Sequence, residues 1–372
     1  METAIILAEN AFGKPPGKTA HGLVRHSLRF KILGIVDSTN AGKDAGQVLD
    51  GKKAGIPIFA SVDDAISKRS QKPDNLIIGV ATIGGMLPKE FRPVIKDAIR
   101  NHINIISGLH EWLGQDLELS SLAKEHDVKI IDIRKEPPLD KMHHYRNRAR
   151  KLKAVRIPIL GTDAATGKRT TGVILVKALK DKGIRTSFVA TGQTGLLQGS
   201  RFGIPLDAIR GDYVVGELEN AIVEACEAEN PQVIIVEGQG ALSHQAYVTG
   251  SRAIVQASAP TTVVLMHAPG RKYRTYHTDE LHLPNGTIDR EMELIRVYAG
   301  CDVIAMAVSH ENMTRKGVLR KISQYEKRYG IPACDPLVDG ADKIADAIIE
   351  RYFSKRKQAR GKHPKARRSS RA

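Results

Sequence analysis

The stretch Gly161-Thr162-Asp163-Ala164-Ala165-Thr166-Gly167-Lys168-Arg169-Thr170-Thr171 follows an apolar run at residues 155–160. It precedes a helical pattern with Val173, Ile174, Val176 and Leu179 on one side and Gly183 near its stop. Strand, glycine-rich loop and helix in that order turn successive backbone N–H groups toward one point. The helix adds the positive end of its dipole and Lys168 adds a full charge, and all three stabilise phosphate oxygens. This is the context of a phosphate-binding P-loop, and it sets the class of the second half of the chain. Two details depart from the common pattern. Five residues separate Gly161 from Gly167 where four are usual. Arg169 stands where a hydroxyl that binds magnesium normally follows the lysine, and the hydroxyls come later, at Thr170 and Thr171. The loop has gained a cation, which suits a phosphate ligand that is held and not hydrolysed.

Further apolar runs at residues 186–190, 233–236, 261–266 and 303–308 read as strands. Helical segments are expected at 213–228, 289–299, 318–329 and 341–352. The run Val233-Ile-Ile-Val-Glu237-Gly-Gln-Gly240 delivers Glu237 to a strand end that faces the phosphates in such a sheet. Glu237 there binds magnesium, with Thr170 as a second ligand if magnesium is used, or acts as a general base on an amine, or is a buried carboxylate held by partners. His244 follows closely as a candidate assistant. The turn around Thr191, Gln193 and Thr194 comes after the next strand and is a candidate substrate contact. The polar, basic and aromatic segment 271–286 reads as a loop over an anionic substrate, with Arg271 and Arg274 pairing with carboxylates. Asp212 reads as a helix cap first and a ligand second.

The first half also alternates strands (residues 4–8, 32–36, 76–80, 104–107, 129–133) with helices (19–26, 62–68, 90–101, 117–126), which suits a Rossmann-like unit. Its first turn lacks G-x-G-x-x-G, so Asp37 at the end of the second strand carries no strong dinucleotide signal. The segment Gly13-Lys-Pro-Pro-Gly17-Lys18-Thr19 imitates a P-loop, but its prolines donate no N–H. It reads first as an ordinary loop, with a basic, ligand-facing role as the alternative. Gly84 and Gly85, and the cluster His110, Glu111 and Trp112, lie at strand ends where such sheets carry function. The prolines after Glu136 close this domain.

The expected architecture is therefore α/β throughout. A Rossmann-like domain spans residues 1–140, a basic linker 141–154, and a P-loop NTPase-fold domain with a parallel sheet 155–352. A disordered basic tail covers 353–372. The net charge of +16 belongs to two places. The last twenty residues hold nine Lys and Arg and no acid, and residues 141–156 hold seven and no acid. The globular remainder is near neutral, so nucleic-acid contact reduces to nonspecific polyanion binding through the tail. No run of about 20 apolar residues predicts a membrane span. The N-terminus reads as a first strand and not a signal peptide. Three widely spaced cysteines suit free thiols in a reducing cytoplasm. A homo-oligomer is expected on general grounds.

Residues 161–171 together with Val236-Glu-Gly-Gln-Gly-Ala-Leu242 resemble the loop and acidic strand of dethiobiotin synthetase-like ATP-dependent enzymes. Residues 1 to about 352 more closely resemble a two-domain family long labelled as of unknown function, whose members are described as D-glutamate N-acetyltransferase-like. The arginine after the lysine and the turn Thr191-Gly-Gln-Thr-Gly195 are among its markers. That resemblance implies acetyl-CoA as donor and an acidic D-amino acid as the small-molecule acceptor. The loop residues 161–171 would hold the donor phosphates and Glu237 would serve as base, with Lys168 assisting. The dethiobiotin synthetase likeness implies instead ATP, magnesium and carboxylate activation. A non-catalytic nucleotide-binding protein is the third alternative.

Overall fold

The computed structural model describes residues 1–275 and 282–360. The N-terminal half builds one six-stranded, all-parallel sheet in the order β3-β2-β1-β4-β5-β6. Its strands are β1 (Glu2–Leu7), β2 (Phe30–Val36), β3 (Ile58–Phe59), β4 (Asn75–Ile78), β5 (Asn104–Ser107) and β6 (Ile130–Asp132). The crossover helices are α1 (Lys18–Arg25), α2 (Ala45–Asp50), α3 (Val62–Ser67), α4 (Phe91–Arg100) and α5 (Leu117–Glu125). This is the Rossmann strand order. The central strands are buried on both faces, so they read as continuous apolar runs (Ile5, Ile6 and Leu7; Leu76, Ile77 and Ile78) and not as alternation.

The second half builds a seven-stranded, all-parallel sheet in the order β13-β12-β11-β7-β10-β8-β9. It contains β7 (Val155–Gly161), β8 (Thr186–Ala190), β9 (Phe202–Gly203), β10 (Val233–Val236), β11 (Val263–His267), β12 (Val303–Val308) and β13 (Ala333–Cys334). Its helices are α6 (Lys168–Asp181), α7 (Gln193–Leu197), α8 (Val214–Glu229), α9 (Thr249–Ser258), α10 (Ile288–Ala299), α11 (Arg315–Tyr329), α12 (Pro336–Asp339) and α13 (Asp342–Arg360). β7 is central, so the loop leaving it opens at the middle of the sheet's carboxyl edge. Each face has its own core: Val233 and Ile235 of β10 pack under α6 and α13, while Ile234 and Val236 pack on the α8 and α9 side.

The expected fold stands, with corrections at its edges. β3, β9 and β13 have two residues each, too few to show a period. α9 was not expected, nor was α7, which begins inside the turn at residues 191–195. α13 continues to Arg360, past the expected end at 352, because a helix already packed through Ile344 and Ile348 propagates readily into Lys, Arg, Gln and Ala. The rest of the expected tail lies outside the described residues. Asp212 is exposed and does not cap α8, whose N-cap is Tyr213 without a side-chain bond. The basic linker is strapped to α8. Glu217 accepts from the backbone N–H of His143, and Glu219 accepts from those of Arg146 and Ala149.

The two halves meet across α1 and α7. Leu197 of α7 is buried in the core of the first domain. The Leu28 N–H donates to the Gln198 carbonyl at 2.8 Å, and Gln198 Nε2 donates to the Gly22 carbonyl at 2.8 Å. The hydroxyls of Thr19 and Thr194 are 3.1 Å apart. Arg134, buried, donates to the Gln193 side chain at 2.7 Å, to both Asp207 oxygens at 3.1 and 2.7 Å, and to the Gly108 carbonyl. These contacts bring the carboxyl edges of both sheets to a shared cleft, where ligands bind in open α/β folds.

Candidate functional site

The loop at residues 161–168 wraps the N-terminus of α6. Gly167, at φ 105°, is the N-cap and makes the left-handed turn that few side chains tolerate. The backbone N–H groups of the first turn of α6 have no intrahelical partner and point into the loop. Lys168 is buried and its Nζ donates to the Asp163 carbonyl at 2.6 Å. Burial, opposed by Asp163, Glu291 and Glu237, lowers its pKa to about 8. On the far side, β10 runs so close to β7 that a Cβ on Gly238 would lie 1.7 Å from the Ile159 carbonyl oxygen. Only glycine lets the strand deliver Glu237 at that depth.

Glu237 is buried. Its Oε2 accepts from the Thr191 N–H at 3.0 Å, and its carbonyl accepts from the Thr191 hydroxyl at 3.1 Å. Burial raises the carboxyl's pKa, against the pull of Arg169 and Lys168. Among the described residues the guanidinium of Arg169 has no hydrogen bond or ion pair, and its buried Nε lacks an acceptor. Thr170 is half-buried, and Thr171 is buried with its hydroxyl 3.5 Å from the Met266 sulfur.

Several candidates serve the loop itself. The Asp163 side chain is fully enclosed: Oδ1 accepts from the Ala164 N–H at 2.8 Å, and Oδ2 accepts from Arg271 at 2.8 Å and the Thr275 N–H at 2.9 Å. Arg271 also bonds the Ala164 and Ala165 carbonyls at 2.7 and 2.9 Å and pairs with Glu311. Its donors are taken up in bracing the P-loop, where the sequence placed it on a substrate carboxylate. His244 lies beside Asp163, with Nε2 3.5 Å from Oδ1. Its Nδ1 accepts from the Ala246 and Tyr247 N–H groups, which leaves the proton on Nε2. His244 thus faces Asp163 without a hydrogen bond to it, its buried Nε2 having no partner among the described residues, and no bond joins it to Glu237. Arg274 is buried, donates to the Ser243 hydroxyl and the Pro284 carbonyl, and among the described residues has one nitrogen, Nη1, without a partner. The expected loop continues through residues 276–281, which lie outside the described residues.

Thr191, Gln193 and Thr194 are all buried. Thr191 holds Glu237, while Gln193 and Thr194 bond to the first domain through Arg134 and Thr19. In that domain Asp37 is consumed by the N–H of Asn10 and by Thr39 and Asn40, so it faces no ribose. Glu111 caps the Leu87 N–H. His110 reaches the cleft, 3.7 Å from Asp207, and burial lowers its pKa. Sequence reading missed Glu291, whose carboxylate accepts from the N–H groups of Leu242 and Ser243 at 2.5 and 3.2 Å and shapes the loop after Glu237. It also missed Arg134. Nothing local marks either residue, because each partner is far away in the chain. Among the described residues no group of three or more His, Cys, Asp or Glu is arranged to hold a metal.

Cutting Arg271 to alanine removes the anchor of a fully buried carboxylate. Breaking a buried pair costs about 3–5 kcal/mol. The expected outcome for Arg271→Ala is a lower denaturant midpoint together with weaker phosphate-ligand binding. Unchanged stability in a urea titration would show that the brace is dispensable.

A Rossmann-like sheet facing a P-loop, with a buried carboxylate and, among the described residues, an arginine without a hydrogen bond, defines the class: a two-domain α/β protein whose P-loop opens on the shared cleft. The chain belongs to the DUF1611 family. Residues 143–345 match the model described as "Domain of unknown function (DUF1611_C) P-loop domain", and residues 38–136 match the corresponding DUF1611_N Rossmann-like domain. It is 33% identical over 274 residues to a D-glutamate N-acetyltransferase from a Pseudoalteromonas species, covering 72% of this chain and 79% of that protein. It is 29% identical over 281 residues to the protein of that name from Tritonibacter scottomollicae, covering 73% and 80%. The crystal structure of a DUF1611 family protein from Anabaena variabilis superposes with a TM-score of 0.85 at 29% identity, covering 94% of this chain and all of that one. No helix among the described residues is long and apolar enough to cross a membrane.

Proposed function

We propose that this protein transfers an acetyl group from acetyl-CoA to the amine of an acidic amino acid such as D-glutamate. The observation that carries the reading is Glu237. It is a buried carboxylate of raised pKa, held by one N–H bond at the lip of a phosphate loop that carries an extra arginine. Two relatives that bear the acetyltransferase name support it.

In this reading the first-turn N–H groups of α6 and Lys168 bind donor phosphates. The donors around the loop that have no partner among the described residues, Arg169 Nε and Arg274 Nη1, fit an anionic ligand. The acceptor nitrogen attacks the thioester carbon, the carbon–sulfur bond breaks, and the thiolate leaves. Glu237 takes the proton released by the amine.

The pH dependence follows from the two shifts. Glu237 must be ionised to act, so kcat/KM rises with pH through a value above the ordinary carboxylate range. Lys168 must be charged to hold phosphate, and in the free protein that charge is lost as pH rises through about 8. A bell-shaped profile with its alkaline limb near that value is the expected result. A profile flat to pH 10 would remove Lys168 from this role.

The deciding experiment is calorimetric titration with acetyl-CoA and with ATP, each with and without magnesium, followed by acetyl transfer to D- and L-glutamate. Magnesium-independent binding of acetyl-CoA and acetylated product support the reading. ATP binding that requires magnesium, without acetyl transfer, would hand the site to carboxylate activation, with Thr170 and Glu237 on the metal. Nucleotide binding with no turnover would point to a non-catalytic protein.

A further inference from the structure

Lys18 opens α1, in the proline-containing loop whose sequence imitates a P-loop. Lys18 is exposed, its charge is felt alongside those of Arg134, Arg169 and Asp207 at the domain boundary, and among the described residues its ammonium has no hydrogen bond or ion pair. Gly22 lies four residues on, hence on the same helix face. Arg169 crosses from the second domain to rest against that face: a Cβ on Gly22 would lie 2.9 Å from Arg169 Nη2. Lys18 and Arg169 thus stand over one patch, locked together by the adjacent Thr19–Thr194 hydroxyl contact. The nearby carboxylate of Asp207 does not neutralise them, because Arg134 already binds both its oxygens. Although the residue keeps part of its surface in water, desolvation of the ammonium against the neighbouring domain, then the charges of Arg134 and Arg169, lowers the Lys18 pKa, with Asp207 opposing.

Two cations that no carboxylate hydrogen-bonds among the described residues, set on either side of a domain boundary with Glu237 the nearest acid to Arg169, can take an anion between them. Lys168 turns inward to the Asp163 carbonyl, whereas Arg169, one residue and about 100° further round the helix, turns to α1. The two neighbours therefore serve different regions, and Glu237 feels the charge of both. An amine placed at Glu237 would have the donor on the Lys168 side and any second charged group of its own on the Lys18 side.

We infer that Lys18 and Arg169 form the subsite for the side-chain carboxylate of the acceptor, so that the first domain selects acidic amino acids. This rests on the acetyltransferase reading. Arg169 offers a planar fork to two carboxylate oxygens and Lys18 a mobile point charge.

The test uses the full chain. Lys18→Gln removes one charge-assisted bond, and the expected result is a rise of about tenfold to a hundredfold in KM for D-glutamate. KM for acetyl-CoA stays within about twofold. Preference for D-glutamate over D-glutamine falls by the same factor, and Lys18→Arg restores most of it. Lys14→Gln, in the same loop but bonded to the Asn10 carbonyl, leaves both KM values unchanged. An unchanged KM for D-glutamate, or a rise confined to acetyl-CoA, overturns the assignment; the latter would place Lys18 on a donor phosphate. Titration with glutarate separates this from the reaction itself. If no acetyl transfer occurs yet glutarate binding weakens about tenfold in Lys18→Gln, the reaction reading fails and the carboxylate subsite stands. If glutarate binds the wild type and Lys18→Gln equally, or neither, the subsite is wrong.

Discussion

Lys168→Met is expected to weaken acetyl-CoA binding by about a hundredfold, the upper range for losing charge-assisted hydrogen bonds to an anion. The replacement keeps most of the buried stem and removes the three donors. Its effect on folding should be small or favourable. Burial of the ammonium lowers its pKa to about 8, so the folded state at neutral pH bears the cost of holding that charge. Lost binding with an unreduced melting temperature marks a residue kept for its ligand and not for the fold. Calorimetry and thermal unfolding on the same sample check both parts. Undiminished acetyl-CoA affinity would move the donor away from the P-loop.

Glu237→Gln should reduce kcat by about 10²- to 10⁴-fold, the range of a general base, while acetyl-CoA affinity stays unchanged. The amide oxygen of glutamine still accepts from the Thr191 N–H, so the local geometry survives. The acid limb of the pH profile should vanish with the carboxylate. Stability adds a second readout. A carboxyl whose folded pKa is raised contributes most below its unfolded pKa, and that contribution is lost as pH rises through the folded value. Relative to the wild type, Glu237→Gln should therefore gain stability as pH increases through that window. A kcat within threefold of the wild type would remove Glu237 from proton transfer.

The continuous apolar runs at β1, β4, β7 and β10 were legible because strands covered on both faces have only one kind of residue to offer. The P-loop was legible because its parts are consecutive: Gly161, Gly167, Lys168 and the pattern of α6 act within one short segment. Glu237 was legible for the same reason, standing directly after an apolar strand. The two-residue strands and the five-residue α7 left no period to read.

The roles of the other polar residues were not legible. Arg271 and His244 looked like substrate and catalytic groups by type, and the fold turns both onto Asp163, 108 and 81 positions away in the chain. Lys18 sat in a loop that proline content marked as a poor phosphate cradle, and only the packing of α1 on α7 brings it to Arg169. By itself the sequence determined the two parallel sheets, the phosphate loop and the acidic strand end, because each depends on residues close together in the chain and on burial that is uniform along a strand. The tertiary structure alone decided which cations brace the loop and which, among the described residues, stand in the cleft without a hydrogen-bond partner. A charged side chain is defined by its partner, and here the partners come from distant segments.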